Sequence, residues 1–374
     1  MISEKAMINL IKGAKKILLI EPRYTHKYIP LGLAKIATFA KNNGAEVVYK
    51  RFYEPSNEDL ICVTSMFTYE SDKVHDVLRE VYRSMFRSDA PLLIGGIYAS
   101  LMPNHIAQKY PKANIFKGYS KILDACPPDY SVDWGVDQEW QDCSYVFTTR
   151  GCPNRCPYCT VWRIEPDAWT NSTWQSHIMD KEKVVIFDNN LSAQSSSHIK
   201  KVCHYLTEND KLTTFDNGFD CKYITDELAA MLAKIRFAPH GLRLAFDRIE
   251  DDGVFQKAII KLKNAGIDES ALMAYVLFNF QDKPQEAEYR MQECIKLGVR
   301  PYPQQYKPLN KIKTLPVYIG KYWTNKLVWT FRQFYYRRFY TTETKTFESF
   351  IEECVKRDMP AYRLTDKDWQ HWNA

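Results

Sequence analysis

Apolar positions over the first 125 residues switch repeatedly between short β-rich runs and stretches with helical spacing. Lys16–Ile20 reads as a strand, 21–30 as a loop, and Leu31–Asn42 as a helix that stops at Gly44. Further strands fall at 46–52, Leu60–Ser65, 91–94 (ending in Gly95-Gly96) and 114–116, with a helix over 74–86. Strands alternating with helices predict a parallel sheet covered on both faces, so residues 1–125 are expected to form a doubly wound domain.

The alternation lapses over 126–143, where Pro127-Pro128-Asp129-Tyr130 leads into acidic, Trp-containing sequence, and a linker is placed there. It resumes at 144–149 and recurs at 184–187, 213–215, 242–246, Leu272–Phe278 and 300–306. Helical patterns over 196–207, 225–235, 254–265 and 285–297 separate the later strands. Six strands trailed by helices predict a partial β/α barrel over 144–306, although an open six-unit sheet gives the same pattern. Beyond it, 307–374 is a basic, aromatic extension read as helical.

Composition changes this picture in three ways. With 45% hydrophobic and 26% charged residues the chain has the make-up of a soluble globular protein. No apolar run approaches the roughly 20 residues of a membrane span and no signal-peptide pattern opens the chain, so a cytoplasmic location without membrane contact is expected. The ten cysteines are too few for a disulfide scaffold, yet Cys152, Cys156 and Cys159 crowd into eight residues, which points to a metal site. Cys62, Cys126, Cys143, Cys203, Cys221, Cys294 and Cys354 show no ligand spacing and read as buried thiols. The net charge of +6 is local, because 307–340 holds eight Lys or Arg and no Asp or Glu.

The cysteines stand in Gly151-Cys152-Pro153-Asn154-Arg155-Cys156-Pro157-Tyr158-Cys159, a C-x3-C-x2-C loop straight after a predicted strand. Three thiolates satisfy three irons of a cubane and leave one iron open, which suits a cluster that binds a ligand at one corner. Gly151 and the prolines fit a tight loop whose amides approach the sulfurs. A zinc site is the competing reading; it needs a fourth ligand, and the nearest histidine in sequence is His177.

This loop resembles the motif of the radical S-adenosylmethionine (SAM) superfamily, C-x3-C-x-aromatic-C, with Tyr158 as the aromatic. The resemblance implies a 4Fe-4S cluster on the three cysteines, SAM chelated at the open iron, Tyr158 near the adenine, and an external electron donor such as ferredoxin or flavodoxin. It also implies that Phe187-Asp188-Asn189-Asn190 ends the second barrel strand with polar groups toward SAM. Asp188 and Asn189, and likewise Asn217, Asp220, Asp247 and Asn279 at later strand ends, are the cofactor-binding candidates. A capping Asp or Asn turn after a strand is the alternative for each.

Leu31-Gly32-Leu33-Ala34, Val63-Thr64-Ser65 and Leu93-Ile94-Gly95-Gly96 resemble segments of the cobalamin-binding domain that precedes the barrel in one radical SAM class. Ser65, Gly95 and Gly96 are the candidates there, a strand ending in Gly-Gly admitting close backbone approach by a flat ligand. The chain departs from other cobalamin proteins in lacking Asp-x-His-x-x-Gly, and His26 has no such context. Cobalamin would thus sit without a histidine ligand, or the domain only scaffolds.

In 307–340 ten aromatics accompany the eight basic residues. Leu327, Val328, Phe331, Phe334, Tyr335 and Phe339 recur at helical spacing as a core face. Lys326, Gln333, Tyr336, Arg337 and Tyr340 on the other face would stack on bases or contact phosphates, or the helix only packs against the barrel. The sequence thus predicts SAM cleavage and hydrogen abstraction from a substrate, with methyl transfer through cobalamin if that is bound. The alternatives are a cobalamin-independent rearrangement or oxidation, and a non-enzymatic metal-bearing nucleic-acid-binding module. Small molecule, peptide and nucleic acid all remain open as substrate.

Overall fold

A computed structural model describes residues 1–25, 28–55, 57–84, 90–312, 317–342 and 345–374. His26 and the end of the helix read over 74–86 lie outside the described residues. The chain divides into unit 1, Met1–Asp188 with Pro308–Pro316, and unit 2, Asn189–Lys307 with Val317–Ala374.

Unit 1 is built on five parallel strands, β1 Lys16–Ile20, β2 Glu46–Lys50, β3 Leu60–Ser65, β4 Leu92–Gly96 and β5 Asn114–Ile115. Their order is β2-β1-β3-β4-β5. β1 and β3 are buried on both faces, which is why they read as unbroken apolar runs, whereas edge strand β2 is half-exposed. Successive residues of β1 feed different cores. Ile17 and Leu19 pack with helices Glu4–Gly13 and Leu31–Asn42, and Leu18 and Ile20 pack with helix Ser71–Ser84. This is the doubly wound domain that the alternation predicts. Helix Glu4–Gly13, which sequence reading passed over, is capped by Ser3, whose hydroxyl accepts the Ala6 N–H at 3.2 Å.

Residues 126–143, read from sequence as a linker, are packed against this domain. Trp134 is fully buried, its ring 4.8 Å from that of Tyr49 and its indole N–H donating to the Asp129 carbonyl at 2.8 Å. Aromatic rings interspersed with prolines and acids carry no period, so the sequence cannot show that they fill a core.

β6 Cys143–Val146 follows and pairs in parallel with β9 Lys183–Ile186. The strand read as 144–149 breaks at Phe147-Thr148, and β7 Thr149–Arg150 instead pairs antiparallel with β8 Trp169–Thr170. The cause is Asp188, whose carboxylate takes the N–H groups of Thr148 and Thr149 out of the ladder at 2.6 and 3.1 Å.

Unit 2 carries β10 Leu212–Asp220, β11 Phe237–Ala245, β12 Leu272–Phe278 and β13 Arg300–Gln305. Neighbours along β10 to β13 pair in parallel. β10 is three times longer than the 213–215 read from sequence, because register shifts around Phe215 carry it past Asn217-Gly218. Within unit 2 the strand order is β13-β12-β11-β10. Helices Ser196–Glu208, Asp226–Leu232, Val254–Asn264 and Pro284–Lys296 fall on the predicted patterns.

Helices Asn325–Tyr336, Phe347–Lys356 and Asp366–Trp372 form the C-terminal extension. Leu327, Val328, Phe331, Phe334 and Tyr335 are buried as the spacing predicts, while Phe339, in the turn beyond, is half-buried. Glu288 of helix Pro284–Lys296 locks the extension down: one oxygen accepts the Tyr335 hydroxyl at 2.5 Å, the other the Phe347 N–H at 3.1 Å. No helix among the described residues is long and apolar enough to cross a membrane.

Candidate functional site

In unit 1 the cysteine loop is the excursion between β7 and β8, so the ribbon of these two short strands, with Arg150 opposite Trp169, brings the loop's two ends together. Cys152, Cys156 and Cys159 are half-buried, Pro153 and Pro157 point outward, and none of the chain's ten cysteines forms a disulfide. The Cys159 N–H donates to the Cys156 carbonyl at 3.1 Å, and the Val161 N–H reaches the Cys159 sulfur at 3.5 Å. An amide aimed at a thiol is the type of contact that tunes an iron-sulfur ligand. Among the described residues no three His, Cys, Asp or Glu side chains converge as on a single bound ion. The three thiols of one loop, in a spacing that supplies one thiolate to each of three irons, fit a cluster instead. Tyr158, also half-buried, is carried on the same loop.

The base of the loop is held by buried charges. Gly151 adopts φ +82°, and a Cβ there would meet the Asp167 carbonyl at 2.8 Å, so only glycine lets the chain pass. Its N–H donates to Glu165 Oε2 at 2.7 Å. Arg150 reaches Glu165 Oε1 at 2.9 Å and forks onto both oxygens of Asp124 at 2.8 and 2.9 Å, with its guanidinium 3.4 Å from the centre of the Phe147 ring. Lys35 joins Asp124 at 2.6 Å. Burial works against the Asp124 charge, but Arg150 and Lys35 outweigh it and hold the carboxyl down at about 2. Burial lowers the Lys35 ammonium in spite of Asp124.

Asp188 is buried one residue before the unit boundary. Besides the two N–H groups, its carboxylate accepts the hydroxyls of Thr148 and of Thr149, the latter at 2.9 Å. Burial pushes its pKa up to about 6 against the pull of these bonds. The side chain that the resemblance assigns to SAM thus shapes the strand end that leads into the loop. His177 is fully buried, Nε2 lying 3.4 Å from the Ala125 carbonyl, and burial pushes it down to about 4.

At the carboxyl edge of the first sheet, the strand order reverses between β1 and β3, the position where open α/β sheets bind ligands. Ser65 ends β3, and its hydroxyl donates to the Gly95 carbonyl at 2.8 Å and accepts the Ala99 N–H at 3.0 Å. Gly96, at φ +102°, has no room for a Cβ, which would stand 2.1 Å from the Ser65 carbonyl. A Cβ on Gly95 would meet nothing within 4 Å. Of the three candidates, Gly95 leaves open space for a ligand, while Ser65 and Gly96 bind β3 to β4.

The unit 2 candidates also divide. Asn189 and Asn217 are half-buried at the start of the unit and within β10. Asp220 closes the turn after β10, accepting the Lys222 N–H at 3.1 Å and pairing with its ammonium at 3.0 Å. Asp247 accepts the Leu277 N–H at 3.2 Å. Asn279 is fully buried at φ +66°, accepting the Gly320 N–H at 2.8 Å and donating to the Tyr306 carbonyl at 3.4 Å. It is a clasp on the strap that enters the C-terminal extension. Lys35, Asp124, Arg150 and Glu165 escaped sequence reading, since a charged side chain carries no sign of a partner far along the chain; only the adjacency of Arg150 to Gly151-Cys152 gave a signal.

The exposed side of helix Asn325–Tyr336 shows Trp329 at 41% and Tyr336 at 53% exposure, with the Lys326 ammonium 5.4 Å from the Trp329 ring and the Arg332 guanidinium 5.6 Å from the Tyr336 ring.

Fold and loop together define a class: an α/β protein with a doubly wound domain ahead of a partial (β/α)6 barrel, and a three-cysteine loop after the first barrel strand. The particular fold is that of solved cobalamin-dependent radical SAM enzymes. The chain is similar to the radical SAM methyltransferase TsrM from Kitasatospora setae, solved with cobalamin and a [4Fe-4S] cluster bound, at 16% identity and a TM-score of 0.58, over 79% of this chain and 77% of that one. It is also similar to the cobalamin-dependent SAM radical enzyme OxsB, at 11% identity and a TM-score of 0.50, over 75% of this chain and 52% of that one. No protein-family model matches the sequence, and no curated protein does.

Proposed function

We propose that the chain is a radical SAM enzyme of the cobalamin-dependent kind, transferring a methyl group to a substrate carbon. The observation that carries this reading is the C-x3-C-x2-C loop, closed at its root by a buried charge network, in a chain whose fold is similar to that of such enzymes. A 4Fe-4S cluster on Cys152, Cys156 and Cys159 would supply one electron to the SAM sulfonium, giving methionine and a 5′-deoxyadenosyl radical able to take a hydrogen atom.

The chain's own residues do the positioning. Arg150 and Glu165 fix where the loop begins and Asp188 turns the chain into it, while the Val161 amide faces a ligand sulfur. Tyr158, Asn189 and Asn217 are the proposed SAM contacts, since Asp220 and Asp247 are bonded to Lys222 and to the Leu277 N–H. The open space over Gly95, at the carboxyl end of β4, is the proposed place for the corrin, without a histidine ligand. The electron donor is proposed to be a ferredoxin or flavodoxin.

The test is anaerobic reconstitution with iron and sulfide, then dithionite and SAM, with 5′-deoxyadenosine read by mass spectrometry. Nucleoside release that disappears in Cys152→Ala, Cys156→Ala and Cys159→Ala supports the reading; reconstituted protein that neither binds nor cleaves SAM ends it. Added hydroxocobalamin that stays with the protein through gel filtration at one equivalent supports the corrin site, and free elution refutes it.

A further inference from the structure

We infer that Lys35, Asp124, Arg150 and Glu165 form a positioning device that holds the cysteine loop in its ligating shape before any cluster is present; this rests on the loop being the cluster site. The four side chains contribute two positive and two negative charges, so the group adds no net charge beside the thiols. All four are largely buried, Lys35 and Asp124 at 3% and 5% side-chain exposure and Arg150 and Glu165 at 13% and 10%.

Buried ion networks are a weak source of stability, since desolvation cancels much of the attraction. What they supply is direction, because a planar guanidinium forked onto two carboxylates has one orientation. Here the fork lies on the Phe147 ring at 3.4 Å and binds Asp124 on one side and Glu165 on the other. Glu165 spends its second oxygen on the Gly151 N–H, so one carboxylate grips the residue directly before Cys152. Glu165 lies six residues after Cys159, so the same contact ties the far side of the loop to its start. Lys35, on helix Leu31–Asn42, anchors Asp124 to the first sheet's covering layer. The loop's root is thereby referred to the core of unit 1 rather than to the short β7–β8 ribbon alone.

The experiment compares the parent chain with Glu165→Ala, Glu165→Gln and a cavity variant in the other unit, Leu262→Ala, which loses fully buried side-chain volume. Hydrogen exchange at the Gly151 amide is measured in metal-free protein, and iron release to bathophenanthroline in reconstituted protein. Glu165→Ala is expected to remove the Gly151 protection and to speed iron release about 10- to 100-fold, the range seen when ligand-orienting partners are lost. Glu165→Gln keeps an oxygen for Gly151 but not the charge for Arg150, and should fall between, which keeps the test alive if the alanine variant does not fold. Leu262→Ala should lower the melting temperature while leaving both readouts at parent values.

Iron release from Glu165→Ala that matches the parent or merely follows Leu262→Ala overturns the positioning role and leaves the enzyme reading intact. A parent that binds no iron-sulfur cluster, with the Gly151 amide still protected, overturns the enzyme reading and the positioning role together.

Discussion

Replacing Asp188 by Asn tests how the structure prepares the entrance to the cysteine loop. The carboxylate is fully engaged by Thr148 and Thr149, both completely buried, and burial raises its pKa from 3.8 to about 6. A folded pKa above the unfolded one means the folded chain binds the proton more tightly. The associated stability is therefore complete below the unfolded value, near pH 4, and is lost as pH rises through about 6. A shift of about two units, at 1.36 kcal/mol each, corresponds to about 3 kcal/mol across that window. Asn does not titrate. Its oxygen still accepts the two backbone N–H groups, and its amide nitrogen faces hydroxyls free to turn and accept. The stability of Asp188→Asn relative to parent should thus rise by about 2 kcal/mol between pH 4 and pH 7, most of the full amount. Urea denaturation followed by tryptophan fluorescence at half-unit pH steps measures it, other titrations cancelling in the difference. A difference flat with pH, or falling, would refute the claim that burial raises the pKa of this carboxylate. Asp188→Ala, which strands two buried N–H donors, should instead lose roughly 2–6 kcal/mol, at 1–3 for each donor.

Gly96→Ala should destabilise unit 1 by well over about 1 kcal/mol, because the new methyl meets the Ser65 carbonyl at 2.1 Å at a positive φ; calorimetry of the variant beside Gly95→Ala, which meets open space and should melt nearer the parent, checks it. Asn279→Ala removes the acceptor of the buried Gly320 N–H and should cost about 1–3 kcal/mol, with faster hydrogen exchange at Gly320; parent-like exchange would show that the clasp carries no load. Asp124→Ala leaves Lys35 and Arg150 facing each other without their shared anion and should cost about 3–5 kcal/mol, while Lys35→Met/Asp124→Leu should recover part of it; a double variant no better than the single one contradicts the pairing.

How much was legible follows from what each signal encodes. β1, β3 and β12 were read with their boundaries because buried parallel strands are continuous apolar runs, and helix Leu31–Asn42 because one face must be apolar. The cysteine loop was legible because its three cysteines are near neighbours in the chain. The role of Asp188 was not, since a carboxylate after a strand looks the same whether it faces a cofactor or turns a threonine pair, and Asn279 was missed as a clasp for the same reason. Packing of 126–143 was hidden because aromatic residues without a period give no face.

Sequence alone therefore determined the alternation of strands and helices, the C-x3-C-x2-C spacing and the apolar face of the C-terminal helix, all of which are properties of residues close in the chain. Tertiary structure decided the β2-β1-β3-β4-β5 order, the meeting of Lys35, Asp124, Arg150 and Glu165 around Gly151, and which polar strand-end residues are already spent on the backbone. The physical reason is that periodicity and ligand spacing are local, whereas a hydrogen bond or ion pair across tens of residues exists only once burial has brought its two ends together.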